Sequence, residues 1–439
     1  MSDNLVITMS GGTTSVINAT LAGIVRTAQQ ISGIDRILAG YPGIKGVLEE
    51  SIMELTDLTE ADLEKLYYTP ASGFVGTTRV RAMSKEDLMR LGDVFAAHNI
   101  RYFINIGGDG TIQQSIHISR ALSSQVKVAA VPKTVDNDLG DEEFEKVLYT
   151  PGFPSCANYW RRKVWIMNQE NLGAHSHDKV LIAQTFGRKT GFLAGCARLG
   201  DIERQMPLII LLPEDQKPLH QVLDHIESVV EQYGRAIVVL SEGYDVGDLG
   251  ERYDLRGQVM YGTSHTTAAQ LLVNHCADIG IQARAFIPGF DQRSDITFVS
   301  GLDLKMACGI GRQAVERLHT GETNFLSSIS KGAAASGNSE FAAVPFSEIG
   351  DYSRTLHSRW IDYSGFDVTD EYVAYVEPLI GDEPVPIPGF PARHHFALQR
   401  GPTVRRKLKP WSTASFCEID TSRAGELATV LSPGGNIVR

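Results

Sequence analysis

The sequence predicts an α/β protein of two doubly wound, Rossmann-like domains followed by a C-terminal extension. Two observations carry this reading. Short apolar runs of buried-strand type alternate with helical patterns, and most of these runs end in small polar loops rather than hairpin turns. A third observation bounds the size: 439 residues, 43% hydrophobic and 21% charged, suffice for two or three compact domains of ordinary soluble composition.

Leu5 to Met9 forms the first apolar run, Ser10-Gly11-Gly12 its turn, and Val16, Ile17, Ala19, Leu21 and Ile24 mark one face of a helix. The same order returns at Tyr102 to Ile106, followed by Gly107-Gly108-Asp109-Gly110-Thr111, and at Val126 to Val131, followed by Pro132-Lys133-Thr134. In open α/β sheets ligands bind beyond the carboxyl ends of strands, so these three loops are the first candidates for a site. A second series begins near residue 179. Val180 to Gln184 leads to Phe186-Gly187-Arg188, Pro207 to Leu212 leads to Pro213-Glu214, and Ala236 to Leu240 leads to Ser241-Glu242-Gly243, with an amphipathic segment from His220 to Tyr233. After about residue 320 the pattern changes: Gly332 to Gly337 is small and Gly381 to Pro391 is rich in Pro and Gly. The expected division is therefore 1–150 with a completing stretch at about 294–330, then 151–293, then an extension over 331–439 whose tail from roughly Pro391 is partly irregular. No repeat of solenoid period is visible.

Charge and cysteine usage narrow the partners. Lys plus Arg gives 41 positive charges against 52 from Asp plus Glu, a net of −11, which speaks against a nucleic-acid surface and leaves a small anion held by local cations. Cys156, Cys196, Cys276, Cys308 and Cys417 lie far apart with no CxxC pair, as in reduced, mostly buried thiols. The first residues lack a basic, extended apolar leader, and no apolar run approaches the ~20 residues of a membrane span. The expectation is a cytoplasmic, unanchored protein.

Two clusters carry chemistry. In Gly107-Gly108-Asp109-Gly110-Thr111 adjacent glycines let backbone N–H groups approach phosphate oxygens, and Asp109 can attend Mg²⁺ ahead of a helix N-terminus. A plain strand-to-helix turn is the structural alternative, and the same string resembles signatures of NAD kinases and lipid kinases. Pro132-Lys133-Thr134-Val135-Asp136-Asn137-Asp138 discriminates better. It places two carboxylates, an amide and a lysine where a buried strand has just ended, so that one carboxylate can take a hydroxyl proton while another helps hold a metal. Capping of a turn is its bland alternative.

With these two clusters at this interval the chain resembles the phosphofructokinase family, whose signature pair is GGDG followed by P-[GK]-T-[IV]-D-N-D. The resemblance runs in order over roughly residues 5 to 380. Gly11-Gly12 is similar to the family's first phosphate loop, and Gly76-Thr77-Thr78-Arg79 to its Gly-Thr-Ser-Arg segment, where Arg79 would meet donor phosphates. Phe186-Gly187-Arg188 stands where the family has Met-Gly-Arg, and Glu242-Gly243 matches a sugar-hydroxyl acceptor. Arg284 and Pro288-Gly289-Phe290-Asp291-Gln292-Arg293-Ser294 resemble the clamp on the acceptor's own phosphate. Val376-Glu377-Pro378-Leu379-Ile380-Gly381 resembles the C-terminal region of the long, often pyrophosphate-using branch.

The resemblance implies a donor-binding first domain, a sugar-phosphate-binding second domain and an Mg²⁺-dependent phosphoryl transfer to the 1-hydroxyl of fructose 6-phosphate. Asp136 would be the general base and Thr134 would orient it. Arg188 would stabilise the transferring group, and Asp109 and Asp138 would attend Mg²⁺. Gly11, Gly12, Arg79, Gly108, Asp109, Gly110, Thr111 and Lys133 would bind the donor. Thr134, Asp136, Asp138, Lys179, Phe186, Gly187, Arg188, Glu242, Arg284, Phe290 and Arg293 would bind the acceptor. Lys179 stands where an arginine usually reaches the neighbouring subunit, so a homodimer or homotetramer is expected; the change keeps the charge and loses the bidentate fork. Thr13, Gln184 and Phe186 also depart from the family pattern, where an acidic residue, Glu and Met are usual.

The donor turns on two residues that point in different directions. Gly110 leaves open the space that an Asp obstructs in pyrophosphate-using members, whereas Lys133 resembles the lysine that neutralises the leaving phosphate in those same members. A steric block excludes more decisively than a charge selects, so ATP is the expected donor and pyrophosphate the alternative. Sedoheptulose 7-phosphate is the alternative acceptor. An NAD kinase would not explain the Pro132 to Asp138 cluster, and a non-catalytic sensor would be expected to lack Asp109, Asp136 or Asp138. His175 with His177 lacks a third ligand at metal spacing. His394-His395 falls in the irregular tail. Ser241 has no G-x-S-x-G elbow around it, and no G-x-G-x-x-G follows the first strand.

Overall fold

The computed structural model describes residues 3–80, 84–123, 125–253, 259–332, 341–349 and 353–381. The expected irregular tail, His394-His395, Cys417 and the small-residue stretch from Ala333 to Gly337 lie outside the described residues.

Five strands arise from the first third of the chain: β1 (Asp3–Met9), β2 (Ile34–Gly40), β3 (Ile52–Glu54), β4 (Ile100–Gly107) and β5 (Lys127–Pro132). Four follow, β6 (Val180–Thr185), β7 (Leu208–Leu211), β8 (Ala236–Ser241) and β9 (Ala283–Phe286), and then β10 (Phe325–Ile329) and β11 (Phe341–Pro345). They form a seven-stranded sheet ordered β11-β10-β5-β4-β1-β2-β3 and a four-stranded sheet ordered β7-β8-β6-β9. The second sheet is parallel throughout; the first is parallel except at its two edges, where β3 and β11 run antiparallel to their neighbours. The central strands are buried on both faces, which is why β4, β5, β6 and β8 read as near-continuous apolar runs without alternation. This is the expected α/β class.

Strands β1, β4, β5, β6, β7 and β8 coincide with the apolar runs. Strands β2, β3 and β9 do not. β2 opens with Asp35 and Arg36 exposed, β9 has only four residues with Arg284 exposed, and β3 has three residues; such short or half-polar stretches carry little periodicity. β10 and β11 return to the first sheet after the second is complete, and a sequence pattern cannot show that pairing.

The helix Phe153–Ala174 leads from the first sheet to the second, and Trp160 and Tyr159 on it are buried. Helix Ile17–Gln29 packs on helix Gly301–His319 with Gly23 directly against the Cys308 backbone, where any side chain would collide. Helix Asp370–Ile380 closes the described chain, with Tyr372, Val376 and Ile380 buried. No helix among the described residues is long and apolar enough to cross a membrane.

Candidate active site

The carboxyl ends of β1, β4 and β5 bring three loops together. Gly11 takes φ +78°, and its N–H donates to Thr78 O at 3.0 Å while Thr77 Oγ1 donates to Gly11 O at 3.0 Å, so the Gly11-Gly12 turn and the Thr77 to Arg79 segment form one wall. Helix Asp109–Ala121 begins directly after Gly108, which places Asp109 and Gly110 in its first turn with N–H groups that the helix does not use. The Thr111 N–H closes that turn by donating to Gly108 O at 2.8 Å. Gly107 cannot carry a side chain because Thr111 fills that space. A Cβ on Gly108 would lie 3.9 Å from Lys133 O, so the second loop abuts the third.

Lys133 is buried, and its Nζ donates to Ser10 O at 3.1 Å and to Gly12 O. Its ammonium is therefore fixed on the Ser10 to Gly12 turn. Burial pushes it down to about 8, helped by Arg293 and opposed by Asp136 and Asp138.

Beyond Lys133 the chain turns sharply. Thr134 Oγ1 accepts the Asp136 N–H at 3.1 Å, and Asn137 adopts φ +55°, which sets the Asp136 and Asp138 carboxyls on either side of a buried amide. Burial raises both carboxyls. Asp136 is raised further by Asp138 and lowered by Arg188, Lys133 and Arg293; Asp138 is lowered by Arg188 and raised by Asp109. Asp109 Oδ1 is buried without a hydrogen-bond partner. Oxygen-only donors of this kind suit a hard divalent cation that keeps waters and phosphate oxygens as its other ligands, so Asp109 and Asp138 fit Mg²⁺.

The second sheet supplies the opposite wall. After β6, Gly187 takes φ +124° and Arg188 φ +54°, a turn in which a side chain on Gly187 would press on Thr190 O at 2.6 Å. Thr190 Oγ1 donates to Gly187 O at 2.8 Å and Ser241 Oγ donates to Arg188 O at 2.9 Å, so the strained turn is held from both sides. Gln292 ties it to the segment after β9: its Oε1 accepts the Phe186 N–H at 2.8 Å and the Trp160 Nε1–H at 3.0 Å. Arg293 then stacks over the Phe186 ring, 5.3 Å from Cζ to the centroid, and reaches across the cleft until a Cβ on Gly12 would meet its Nη1 at 2.9 Å. Its Nε is buried without a hydrogen-bond partner. Burial lowers the guanidinium, Asp136 and Glu242 raise it and Arg79 lowers it, which sets Arg293 among all three. Glu242 is buried, and desolvation plus Asp136 raise it to about 8.

Two expected acceptor residues stand elsewhere. Lys179 precedes β6, and Arg284 pairs in register with Leu181, whereas Phe186 to Arg188 follow the carboxyl end of the same strand. At about 3.3 Å per residue the five residues from Leu181 to Phe186 span roughly 16 Å. Arg284 is 64% exposed and holds Asp178 at 2.8 Å, and Lys179 is exposed. Within one chain, Arg284 therefore does not join Arg293 in a common clamp. Phe290, 72% exposed, also points away from the buried residues. Gln184, one of the departures, has a local use: its Oε1 accepts the Ala269 N–H at 3.0 Å, at the start of the helix Ala268–Asp278. Sequence reasoning misses Ser241, Thr190 and Gln292 as site residues because they carry no reacting group, although each lies within two residues of one that does.

Four comparisons bear on this geometry. The model of the phosphofructokinase family matches residues 4–318. The pyrophosphate–fructose 6-phosphate 1-phosphotransferase of Rhodospirillum rubrum is 28% identical over 394 residues, 86% of this chain and 94% of that protein. A sulfofructose kinase of Alkalicoccus urumqiensis is 25% identical over 364 residues, covering 80% of this chain and 89% of its own. The crystal structure of the pyrophosphate-dependent phosphofructokinase from Nitrosospira multiformis superposes with a TM-score of 0.77 at 27% identity, covering 94% of this chain and all of that one. With the family model matching well over half of its length, this chain belongs to the phosphofructokinase family of phosphotransferases.

Proposed function

We propose that this protein transfers a phosphoryl group from pyrophosphate to the 1-hydroxyl of fructose 6-phosphate, giving fructose 1,6-bisphosphate and phosphate. The observation that carries the donor is Lys133: a buried cation seated on the first phosphate loop and beside Asp136, with its proton held less tightly than in water. Such a group meets the charge that develops on a small leaving phosphate. The relatives named for pyrophosphate support the same donor, which replaces the ATP expected from Gly110. Space at Gly110 admits a nucleotide but supplies no attraction for one, so the steric argument is permissive where the lysine is selective.

In this reading Asp136 accepts the proton of the 1-hydroxyl as its oxygen attacks the phosphorus, and the bond from phosphorus to the leaving phosphate breaks. Burial has already raised Asp136 above the usual carboxylate range, which strengthens it as a base. Arg188 and Arg293 face the transferring group from the second sheet, and Glu242 accepts a sugar hydroxyl. Asp109 and Asp138 would hold Mg²⁺, which when bound neutralises donor phosphate oxygens. Lys179 and Arg284, exposed at the far end of the second sheet, serve the acceptor phosphate of a neighbouring copy, in a homodimer or homotetramer. The reading is compatible with a cytoplasmic enzyme.

The test is an initial-rate assay with fructose 6-phosphate and Mg²⁺ and either pyrophosphate or ATP. Turnover with pyrophosphate well above that with ATP is expected. Turnover with ATP alone would return the donor to the nucleotide, and none with either would remove fructose 6-phosphate as the acceptor.

A further inference from the structure

The family model ends at residue 318, yet the turn that carries Asp136 and Asp138 is held mainly by residues after it. Arg354 is buried, and its guanidinium is spent on backbone and amide groups of one short stretch. Nε donates to Asn137 O at 2.9 Å, Nη2 to Asn137 Oδ1 at 2.8 Å and Nη1 to Val147 O at 2.6 Å, with Asp141 O at 3.4 Å from Nη1. Its plane lies over the Phe144 ring, 4.0 Å from Cζ to the centroid. Its own N–H donates to Asp138 O at 2.9 Å. From the helix Asp370–Ile380, Tyr375 accepts the Asn137 Nδ2–H at 3.0 Å and donates to Leu148 O at 2.7 Å, with its ring stacked on Trp360 at 4.5 Å. Thr150 completes the cage, its N–H donating to Asn137 Oδ1 at 3.1 Å.

Asn137 is thus gripped at its carbonyl, its amide oxygen and its amide nitrogen, in a left-handed conformation that an unsupported asparagine adopts only part of the time. The residues on either side of it are Asp136 and Asp138. A change in Asn137 φ or ψ swings both carboxyls together, one away from the acceptor hydroxyl and the other away from the donor phosphates.

We propose that Arg354 and Tyr375 are positioning residues for phosphoryl transfer: acting through Asn137, they fix the two carboxylates at their working separation without touching substrate. The proposal rests on the reading of Asp136 as the base. It assigns to the segment beyond the family core a part in turnover and not only in packing.

The test is steady-state kinetics, with whichever donor the parent turns over, at a temperature far below the melting point of each variant. Arg354→Met, which keeps the length and removes the donors, should lower kcat by about 30- to 100-fold, the scale on which a catalytic group displaced by ~1 Å loses rate. KM for fructose 6-phosphate should stay within about threefold, since the cations that hold its phosphate are untouched, while KM for the donor rises less than kcat falls, as Asp138 moves with Asp136. Tyr375→Phe removes the hydroxyl's two hydrogen bonds, one of them to Asn137, and should lower kcat by about three- to tenfold. The double variant should lose less than the product of the two, because both act on one amide, and Arg354→Lys should recover part of the loss. A purely structural role lowers the melting temperature and leaves kcat in the folded fraction unchanged, and that result overturns the proposal; so do fully multiplicative losses or a rise in KM alone. Where Arg354→Met does not fold, Tyr375→Phe and Arg354→Lys decide, parental kcat in both refuting it. Asp136→Asn runs in parallel: if it is inactive while the Arg354 variants match the parent, only the positioning role fails, and if it is active, the base assignment itself fails.

Discussion

The two ends of β6 are built differently. At the carboxyl end, Phe186, Gly187 and Arg188 are held by Gln292, Thr190 and Ser241 in a turn with two successive positive φ angles. At the amino end, Lys179 and Arg284 lie open, and Arg284 has a surface aspartate as its partner. The first end is held at three points, as the proposed role of Arg188 requires, because preorganised donors lose nothing to rearrangement during a reaction. The second holds only its backbone, where the buried Asn171 donates to the Asp178 and Lys179 carbonyls, and leaves the cationic side chains themselves in solvent. A cation pair left in solvent gains little from its surface partner and becomes useful only when a second surface removes the water.

That contrast can be broken first at Asp136, which follows β5 and lies against the carboxyl end of β6, its carbonyl oxygen 3.5 Å from Thr190 Oγ1. Asp136→Asn should fold and lose at least ~10²-fold in kcat, the usual contribution of a positioned base. Circular dichroism confirms the fold and initial rates measure the loss; a turnover near that of the parent would remove Asp136 as the base.

The open end is tested by mixing. Arg284→Ala should raise KM for fructose 6-phosphate by roughly tenfold, the scale of one charge-assisted pair, with the donor KM little changed. If Arg284 serves a neighbour, then dissociating and reassociating Arg284→Ala chains with Asp136→Asn chains should rebuild some whole sites, each with Asp136 from one chain and Arg284 from the other. Rates at low fructose 6-phosphate should then exceed the sum of the two separate enzymes. No gain on mixing, in a sample shown by native mass spectrometry to contain hybrids, would place Arg284 outside the neighbour's site.

The pH profile sharpens the comparison at Lys133 and Asp136, the groups after β5 whose charges act on those of the carboxyl end of β6. Lys133 is depressed to about 8, so its charge is present below that value and lost as pH rises through it. Asp136 is raised, so its basic form is lost as pH falls through a range above that of an ordinary carboxylate at about 4. The kcat/KM for the donor should fall on both sides of a narrow window, with the alkaline limb near pH 8. Lys133→Arg, if active, should move that limb upward because the guanidinium does not titrate there. An alkaline limb unmoved by this change would exclude Lys133 as its source.

The smallest expected effect is at Ser241→Ala, which removes one hydrogen bond to the Arg188 carbonyl. At about 0.5–1.5 kcal/mol this predicts a two- to tenfold fall in kcat. A fall beyond a hundredfold would mean that Ser241 touches the reacting groups directly.

Much of this site is legible in the amino-acid sequence. The GGDGT and Pro132 to Asp138 strings are local, since each is a strand end followed by residues whose chemistry can be named one by one, and their loops do meet in the cleft. Arg284 shows the limit: its place in the motif order suggests company for Arg293, but order along the chain does not say which end of a strand a residue occupies. The donor shows another limit, because Gly110 is weighed by the space it leaves and Lys133 by its charge, whereas the burial of the ammonium on the Ser10 and Gly12 carbonyls is a property of the folded chain.

The sequence by itself determined the α/β class and the strands at the centre of each sheet, and it named the candidate residues for the chemistry. Those follow from short unbroken apolar runs, from a helical period of 3.6 and from side-chain type, all properties of a few neighbouring residues. Only the tertiary structure decided which residues hold the chemistry in place. Gln292 reaches Phe186 across 106 positions, and Arg354 reaches Asn137 across 217. A buried donor seeks whatever acceptor packing brings near, so the partner is fixed by the fold as a whole and leaves no pattern along the chain.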